Sequence, residues 1–389
     1  MVLGKKFAIV SRRIEAITLI DFLKKRYDSH TIVILSAISI IIFLFASMTA
    51  QWVGGARLIE SLTGLSYTDA LLIFAVAVLA YVIIGGFRAV ALTDALQGSI
   101  MIIGTVILLI ATVIAGGGVE NIMQGLVAEN PNLVSPFGAT GNLTPLYVST
   151  FWILIGLGVI GLPQIAVRAM SYKDSKSLHR AILIGTIGIG TIMFGMHLIG
   201  VFARPVMPGI EVGDKVMPLL TLEVLPPLLA GIVLAAPMAA IMSTVNALLI
   251  LVSSTVVKDI YLNYINPKAS DTQIKNRSFW VTTIIGITVV IFAVKPPELL
   301  IMLNLFAFGG LESAFLWSVV FGLYWKKANK YGAISSMIVG IVLYIVIYSF
   351  AENIYGMHSV TIPIFASLFT FVVVSLIANK VKKIEDYHF

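Results

Sequence analysis

The feature that most constrains this sequence is a series of ten apolar runs, each close to the length that a helix needs to cross the roughly 30 Å hydrocarbon core of a bilayer. Polar segments between the runs are too short to fold as separate soluble domains. We therefore predict an all-α integral membrane protein with about ten transmembrane helices. The predicted spans cover residues 31–56, 69–88, 95–115, 147–169, 181–203, 226–257, 279–294, 300–325, 332–350 and 360–379.

The composition agrees with this class. Hydrophobic residues make up 59% of the 389 positions and charged residues 12%, and the mean hydropathy of +1.00 exceeds that of water-soluble domains. We predict a basic cytoplasmic segment at 1–30, a transmembrane bundle at 31–380 and a short cytoplasmic tail at 381–389.

The distribution of positive charge predicts the orientation. With both termini in the cytoplasm, all but four of the 26 Lys and Arg residues fall in cytoplasmic segments, which is the positive-inside pattern. The net charge of +7 therefore reflects membrane topology, and we predict no nucleic-acid partner. The four exceptions are Arg57, Arg204, Lys215 and Lys295.

The sequence contains no cysteine, which excludes disulfides, thiolate metal sites and cysteine nucleophiles. It also has no Walker A loop, no HExxH and no GxSxG motif. We predict that the protein is not an enzyme, that it needs no cofactor, and that it relies on an ion gradient or on no energy source.

A candidate cation site lies on the predicted span at 226–257. Ala240, Ser243 and Thr244 stand at positions i, i+3 and i+4 of a helix, so two hydroxyls and one carbonyl share a face. Small hard cations prefer oxygen ligands. The alternative is that both hydroxyls hydrogen-bond back to the preceding turn and bind no ion.

The predicted span at 147–169 contains several helix breakers close together. Because proline has no N–H, Pro163 leaves the carbonyl of Val159 without its helical donor, and a free carbonyl in mid-membrane can bind a ligand. A kink or a close helix contact explains the same residues without a ligand. The breakers are Gly156, Gly158, Gly161 and Pro163.

One carboxylate and one histidine lie well inside predicted spans. Glu312 follows a Gly-Gly pair, and intramembrane acids are typical of functional sites, although a protonated or paired glutamate can also serve packing. His197 stands alone on an apolar span, where a hydrogen-bonded core histidine is the simpler interpretation and a proton relay the alternative.

Three further polar positions remain open. We predict a cytoplasmic turn between the spans at 69–88 and 95–115. Asp94 follows this turn and precedes Gln97 in a pattern typical of a capping box, but a carboxylate at a helix start could also attract a cation. Gln51 and Trp52 lie late in the first span, where tryptophan is typical of the interfacial aromatic belt. We also treat Gln51 and Trp52 as candidate contacts to a solute.

Long collinear blocks give the chain a resemblance to the sodium/solute symporter family, and the resemblance covers nearly its whole length. The blocks are GGARLIESLTG, IIGGFRAVALTDALQG, GLPQIAVR and LAAPMAAIMST. Other blocks are most similar to bacterial members that carry pantothenate: LGKKFAI, GVIGLP, SYKDSK, FGMHL, VKPPE, LNLFAFGGLE and GLYW. The resemblance implies sodium-coupled import of pantothenate, or of a similar small carboxylate, across a bacterial plasma membrane.

The resemblance also implies a fold. It is the LeuT-like architecture of two inverted five-helix repeats with flanking helices, which alternates access around a site at the bilayer midplane. In that family three further helices precede the position equivalent to Met1, and they include the interrupted helix that completes the sodium site. The chain as written is thus predicted to hold half of that site.

Site residues follow from the same resemblance. It implies sodium ligands at the Ala240 carbonyl and at the Ser243 and Thr244 hydroxyls, and it links Asp94 to sodium coupling. It places Ile155, Val159 and Pro163 against the solute, and we add Glu312, Gln51 and Trp52 as candidate solute contacts. Aliphatic residues at the first two positions suit a solute with geminal methyls and an amide.

Four alternatives remain open at this stage. The true start of the protein lies upstream and Met1 is internal, or the chain is a shortened copy that does not transport. A membrane-embedded sensor or interaction module is a different class of function. A carrier coupled to protons through Glu312 or His197 is the fourth.

Overall fold

The computed structural model describes residues 2–141, 143–172, 174–351 and 354–382, without the side chains of residues 2, 83–94, 171 and 382. Every regular element in these ranges is helical. The α-helices are α1 Val2–Arg13, α2 Leu19–Tyr27, α3 His30–Thr63, α4 Tyr67–Ala115, α5 Val119–Glu129, α6 Pro145–Trp152, α7 Pro163–Ser171, α8 Ser175–Val206, α9 Val216–Val224, α10 Pro227–Ser254, α11 Asp271–Ala293, α12 Ile301–Tyr324, α13 Lys330–Phe350 and α14 Thr361–Lys382. A π-helical extension, Thr255–Ile265, continues α10.

All ten apolar runs lie on helices. Within the described ranges, eight helices are long and apolar enough to cross a membrane on their own. A ninth candidate is formed by Pro145–Gly161 and Pro163–Met170, which meet at 48°; we call these two segments the bent pair. The tenth run lies on Tyr67–Val82, which is apolar but shorter than a usual span.

One expected turn does not form. We predicted a cytoplasmic turn between the spans at 69–88 and 95–115, but the backbone stays helical from Tyr67 to Ala115. This stretch contains no proline, so no residue removes a donor from the helical hydrogen-bond ladder. Glycine in a helix costs about 1 kcal/mol relative to alanine and does not interrupt it. The predicted turn was therefore wrong.

Polar residues set the ends of several helices. The Thr18 hydroxyl accepts a hydrogen bond from the Asp21 backbone N–H at 3.0 Å, and the Asp21 carboxylate accepts one from the Thr18 N–H at 3.3 Å. This capping box starts α2. The C-terminal end of α3 is capped by Gly64, whose φ of 70° lies in the left-handed region that glycine adopts without strain.

The centre of the bundle is built from α3, α12 and α13. Phe43 and Trp52 on α3, Phe315 on α12 and Tyr344 on α13 are all fully buried. At Gly310 a Cβ atom would overlap the Phe43 ring, so this glycine sets how closely α12 approaches α3. Close approach at small residues is a main source of helix association in membranes.

The outer surface is apolar. Ile184 and Phe194 on α8 and Ile291 on α11 are each more than half exposed. A soluble protein rarely exposes so much apolar surface, whereas a bilayer requires it. The exposed faces of these helices are therefore suited to contact with lipid.

Polar contacts join the N-terminal helices to the π-helical extension of α10. The Lys258 ammonium lies 2.6 Å from the Asp21 carboxylate, and the Thr18 hydroxyl donates a hydrogen bond to Asp259 at 3.1 Å. Partial burial raises the pKa of Asp21, but the hydrogen bond from Lys258 and its charge outweigh this effect and the pKa is lowered overall. The predicted division into segments 1–30, 31–380 and 381–389 stays a prediction.

Candidate functional site

The three candidate sodium ligands on α10 lie together. Ser243 Oγ donates a hydrogen bond to the Ala240 carbonyl oxygen at 3.0 Å, and Thr244 Oγ1 donates to the same oxygen at 2.9 Å. All three residues are half-buried. The cluster therefore offers three oxygens of the type that a hard cation prefers. In this conformation the hydroxyls make the back-bonds that were the alternative to ion binding.

Asn246 extends this polar cluster and was missed in the sequence. It is fully buried, and within the described residues neither its Oδ1 nor its Nδ2 has a hydrogen-bond partner. Burying such a group without a hydrogen-bond partner is costly. The signal was its position three residues after Ser243, on the same face of the helix.

The side chain of Asp94 lies outside the described residues, so its place relative to this cluster is not part of the structure. The backbone is helical on both sides of Asp94. Asp94 is thus not at a helix start, and the predicted capping box with Gln97 was wrong. The assignment of Asp94 to sodium coupling stays a prediction.

The helix that carries the predicted solute contacts is interrupted. After α6 the chain forms a π turn at Ile153–Leu157 and a 3₁₀ turn at Gly158–Gly161. Leu162 is extended, with ψ of 122°, and Pro163 is the first residue of α7. At that position the missing N–H of proline is not needed. This sequence of turns produces the 48° bend.

The prediction that the Val159 carbonyl is free was wrong. The Leu162 N–H donates a hydrogen bond to the Val159 carbonyl oxygen at 3.2 Å, which satisfies it within the 3₁₀ turn. The side chains differ in access: Ile155 is 40% exposed, Val159 is half-buried and Pro163 is buried. Of these three, Ile155 is the most exposed, and the contact of all three with a solute stays a prediction.

Glu312 lies against the break in the bent pair. It is 1% exposed, and its carboxyl occupies the space that a Cβ atom of Gly158 would fill. One turn further, a Cβ at Gly161 would lie 2.8 Å from the Leu316 backbone nitrogen. The glycines therefore admit α12 and its carboxyl to the break. A direct contact between Glu312 and a solute stays a prediction.

Gln51 and Trp52 are placed differently from each other. Trp52 is fully buried, and its ring centroid lies 6.1 Å from that of Phe74 in an edge-on contact. It therefore belongs to the core, and its expected place in an interfacial belt was wrong. Gln51 is half-buried. One turn earlier, the Ser47 hydroxyl donates to Asn304 Oδ1 at 2.8 Å and links α3 to α12.

His197 is hydrogen-bonded as expected, since its Nδ1 lies 2.6 Å from the Met193 carbonyl oxygen. It is not a core residue, because it is exposed on α8. That part of the prediction was wrong: the 3.6-residue period of the helix turns His197 to the outer face of α8, together with Met193.

The bent pair contacts the helix of the sodium candidates and the helix of Glu312. Its second segment, α7, packs against α10, and its 3₁₀ turn packs against α12. Secondary transporters commonly bind ions and solutes where an interrupted helix meets intact ones. Among the described residues, no group of three His, Cys, Asp or Glu side chains could hold a metal ion.

Comparison with known proteins identifies the family. Residues 1–340 match the model of the sodium:solute symporter family. The chain belongs to this family. The symporter is 50% identical over 374 residues to the sodium/pantothenate symporter of Escherichia coli strain K12, with 96% of this chain and 77% of the relative covered.

Two further relatives frame the similarity. The sodium/pantothenate symporter of Haemophilus influenzae strain Rd is 49% identical over 373 residues, which cover 95% of this chain and 77% of the relative. An osmoregulated proline transporter of Bacillus subtilis strain 168 is 33% identical over 335 residues, covering 84% and 67%. The symporter is thus more similar to these two pantothenate carriers than to this proline carrier.

A solved structure supports the fold. The substrate-bound, outward-open state of a Na⁺-coupled sialic acid symporter matches with a TM-score of 0.75 at 18% identity, covering 98% of this chain and 83% of the other. The symporter therefore has the LeuT-like architecture that its sequence predicted.

Proposed function

We propose that this symporter imports pantothenate, or a similar small carboxylate, together with sodium by alternating access. The 50% identity to the E. coli sodium/pantothenate symporter carries the proposal, because the match covers nearly all of the chain, including α10, the bent pair and α12. We place the protein in a bacterial plasma membrane with both termini of this chain in the cytoplasm, as the basic segments favour.

The α10 cluster supports a sodium site. At present both hydroxyls donate to one carbonyl oxygen, and their own lone pairs are free to accept or to coordinate. If each hydroxyl rotates about its C–O bond, Ser243 Oγ, Thr244 Oγ1 and the Ala240 oxygen can all point lone pairs at one cation. Further oxygens are needed for a full shell, and we propose Asp94 as a carboxylate linked to the same ion.

The bent pair supports a site for a partly apolar solute. Ile155 is exposed, and Val159 lies one turn further along the same helix, so two aliphatic side chains border the break. Aliphatic contacts suit the geminal methyls of pantothenate. They constrain size and polarity, and the polar groups of the solute need separate partners, for which Gln51 and Glu312 are our candidates.

The charge of the solute constrains the stoichiometry. One sodium ion moving through 100 mV releases about 2.3 kcal/mol, and a tenfold concentration gradient adds about 1.4 kcal/mol. A monovalent anion that moves with one sodium carries no net charge and gains only the chemical part. Strong accumulation of pantothenate therefore requires more than one sodium per solute.

The proposal is tested by uptake of labelled pantothenate into proteoliposomes that contain the purified protein. We expect uptake with an inward sodium gradient, and loss of uptake when choline replaces sodium at constant pH. Labelled proline serves as the control solute. Equal uptake in sodium and choline would refute sodium coupling, and a preference for proline would refute the solute assignment.

A further inference from the structure

The carboxyl group of Glu312 is buried away from solvent. Both of its oxygens are enclosed, and neither has a hydrogen-bond partner in the part of the chain that the structure describes. One oxygen lies against Gly158, and nearby the α12 backbone is in contact with Gly161. A carboxylate that is cut off from water and has no counter-charge is so costly that such a group takes up a proton instead.

Among the described residues, no hydrogen bond or ion pair brings a charge to Glu312. The helix that carries it, α12, is packed by α3, α13, α14 and the bent pair. Tyr344 on α13 packs against Gly309, one turn before Glu312, and its hydroxyl donates to the Leu305 carbonyl oxygen at 3.1 Å. Two cations in the described part of the chain contact α12 near its end, where Arg26 donates to the Gly322 carbonyl oxygen and Lys6 lies over the Tyr324 ring. Gly322 is about 15 Å along the helix from Glu312.

The same surroundings argue for a proton over a metal cation. Sodium needs several oxygen ligands around it, whereas the Glu312 carboxyl lies against Gly158 and neither of its oxygens has a polar partner among the described residues. A proton needs a single carboxylate oxygen. Glu312 therefore differs in kind from the oxygen-rich cluster on α10.

We propose that Glu312 is a proton-binding site at which the neutral carboxylic acid holds α12 against the break in the bent pair. The carboxylate takes one proton from water and forms one O–H bond, and no electrons are transferred. When the proton leaves, the carboxylate must regain water or a cation, which requires α12 and Gly158–Gly161 to separate. This inference does not depend on which solute the symporter carries.

Infrared difference spectra of the purified full chain test the proton directly. At pH 7 the spectrum should contain the C=O stretch of a protonated carboxyl, and Glu312→Gln should lose that band. Two variants are controls: Glu120→Gln removes an exposed carboxylate, and Asp259→Asn removes another enclosed one. Both should keep the Glu312 band. Identical carboxyl bands in the wild type and in Glu312→Gln would overturn the proposal.

The thermal midpoint of unfolding provides a second readout. The unfolded chain releases the Glu312 proton above about pH 4.3, whereas the folded chain keeps it. The midpoint of the wild type should therefore fall as pH rises above this value, and Glu312→Gln should lose this part of the fall. An unchanged pH profile in Glu312→Gln would count against the proposal. If Glu312→Gln does not fold, Glu312→Asp replaces it: the shorter side chain withdraws the carboxyl from Gly158, so the C=O band should shift, and an unshifted band would overturn the assignment.

Discussion

At the scale of single residues, the α10 cluster rests on one carbonyl oxygen that accepts from two hydroxyls. Ser243 and Thr244 both bond Ala240, at 3.0 and 2.9 Å. A hydroxyl that bonds back to its own helix keeps its lone pairs, so the same group can serve packing in one state and an ion in another.

We expect the double variant Ser243→Ala with Thr244→Ala to raise the sodium concentration for half-maximal uptake at least tenfold, because each lost contact to a charge is worth about 1.5–3 kcal/mol. The measurement is pantothenate uptake against sodium concentration. Ser254→Ala is the control, since its hydroxyl makes a similar back-bond to Leu251 away from the cluster. Unchanged sodium dependence in the double variant would remove these hydroxyls from the site.

The grouping of the three residues in this cluster could be predicted from the sequence, but the contacts between helices around it could not. The spacing i, i+3, i+4 fixes a shared face as soon as the segment is helical, so Ala240, Ser243 and Thr244 could be grouped without a structure. The contact of Glu312 with Gly158 joins residues far apart in the chain. No local pattern encodes which helices meet, and so the reason for the glycines became visible only in the fold.

At the scale of elements, the bent pair determines how the site is built. Glycine and proline predicted an interruption, and the structure has one. What could not be predicted is that the π and 3₁₀ turns satisfy the Val159 carbonyl locally. Proline removes one donor, but whether another N–H replaces it depends on the turn that the chain adopts.

Two glycines of the bent pair give a matched test of its packing. A Cβ at Gly158 would overlap the Glu312 carboxyl, whereas a Cβ at Gly156 meets nothing within 4 Å. We expect Gly158→Ala to destabilise the protein by about 1–3 kcal/mol, as overpacking usually does, and Gly156→Ala to have little effect. Thermal unfolding in detergent measures both. Equal midpoints for the two variants would contradict the contact between α12 and the break.

At the scale of the whole molecule, the connection between α13 and α14 is hydrogen-bonded to α6, the first helix of the bent pair. The His358 backbone N–H donates to Thr150 Oγ1 at 2.9 Å, and the His358 ring packs against Tyr147 and Phe151. Burial lowers the pKa of His358 to about 4. The folded protein therefore holds this histidine neutral at physiological pH.

This pKa predicts a pH dependence of stability. As pH falls from about 6.5, the unfolded chain protonates His358 and the folded chain does not, so stability is lost until about pH 4, by roughly 3 kcal/mol in total. We expect His358→Gln to reduce the fall of the unfolding midpoint as pH decreases over this range. His197→Gln, which alters an exposed histidine, should keep the wild-type slope. Parallel profiles for the wild type and His358→Gln would contradict a buried neutral His358.

Sodium-coupled import is tested most directly by the simultaneous flux of labelled sodium and labelled pantothenate into proteoliposomes, measured at zero and at negative internal potential. We expect pantothenate to stimulate sodium entry at a fixed ratio, and an interior-negative potential to accelerate both fluxes if more than one sodium moves per solute. Pantothenate entry that leaves the sodium flux unchanged would contradict symport by this protein.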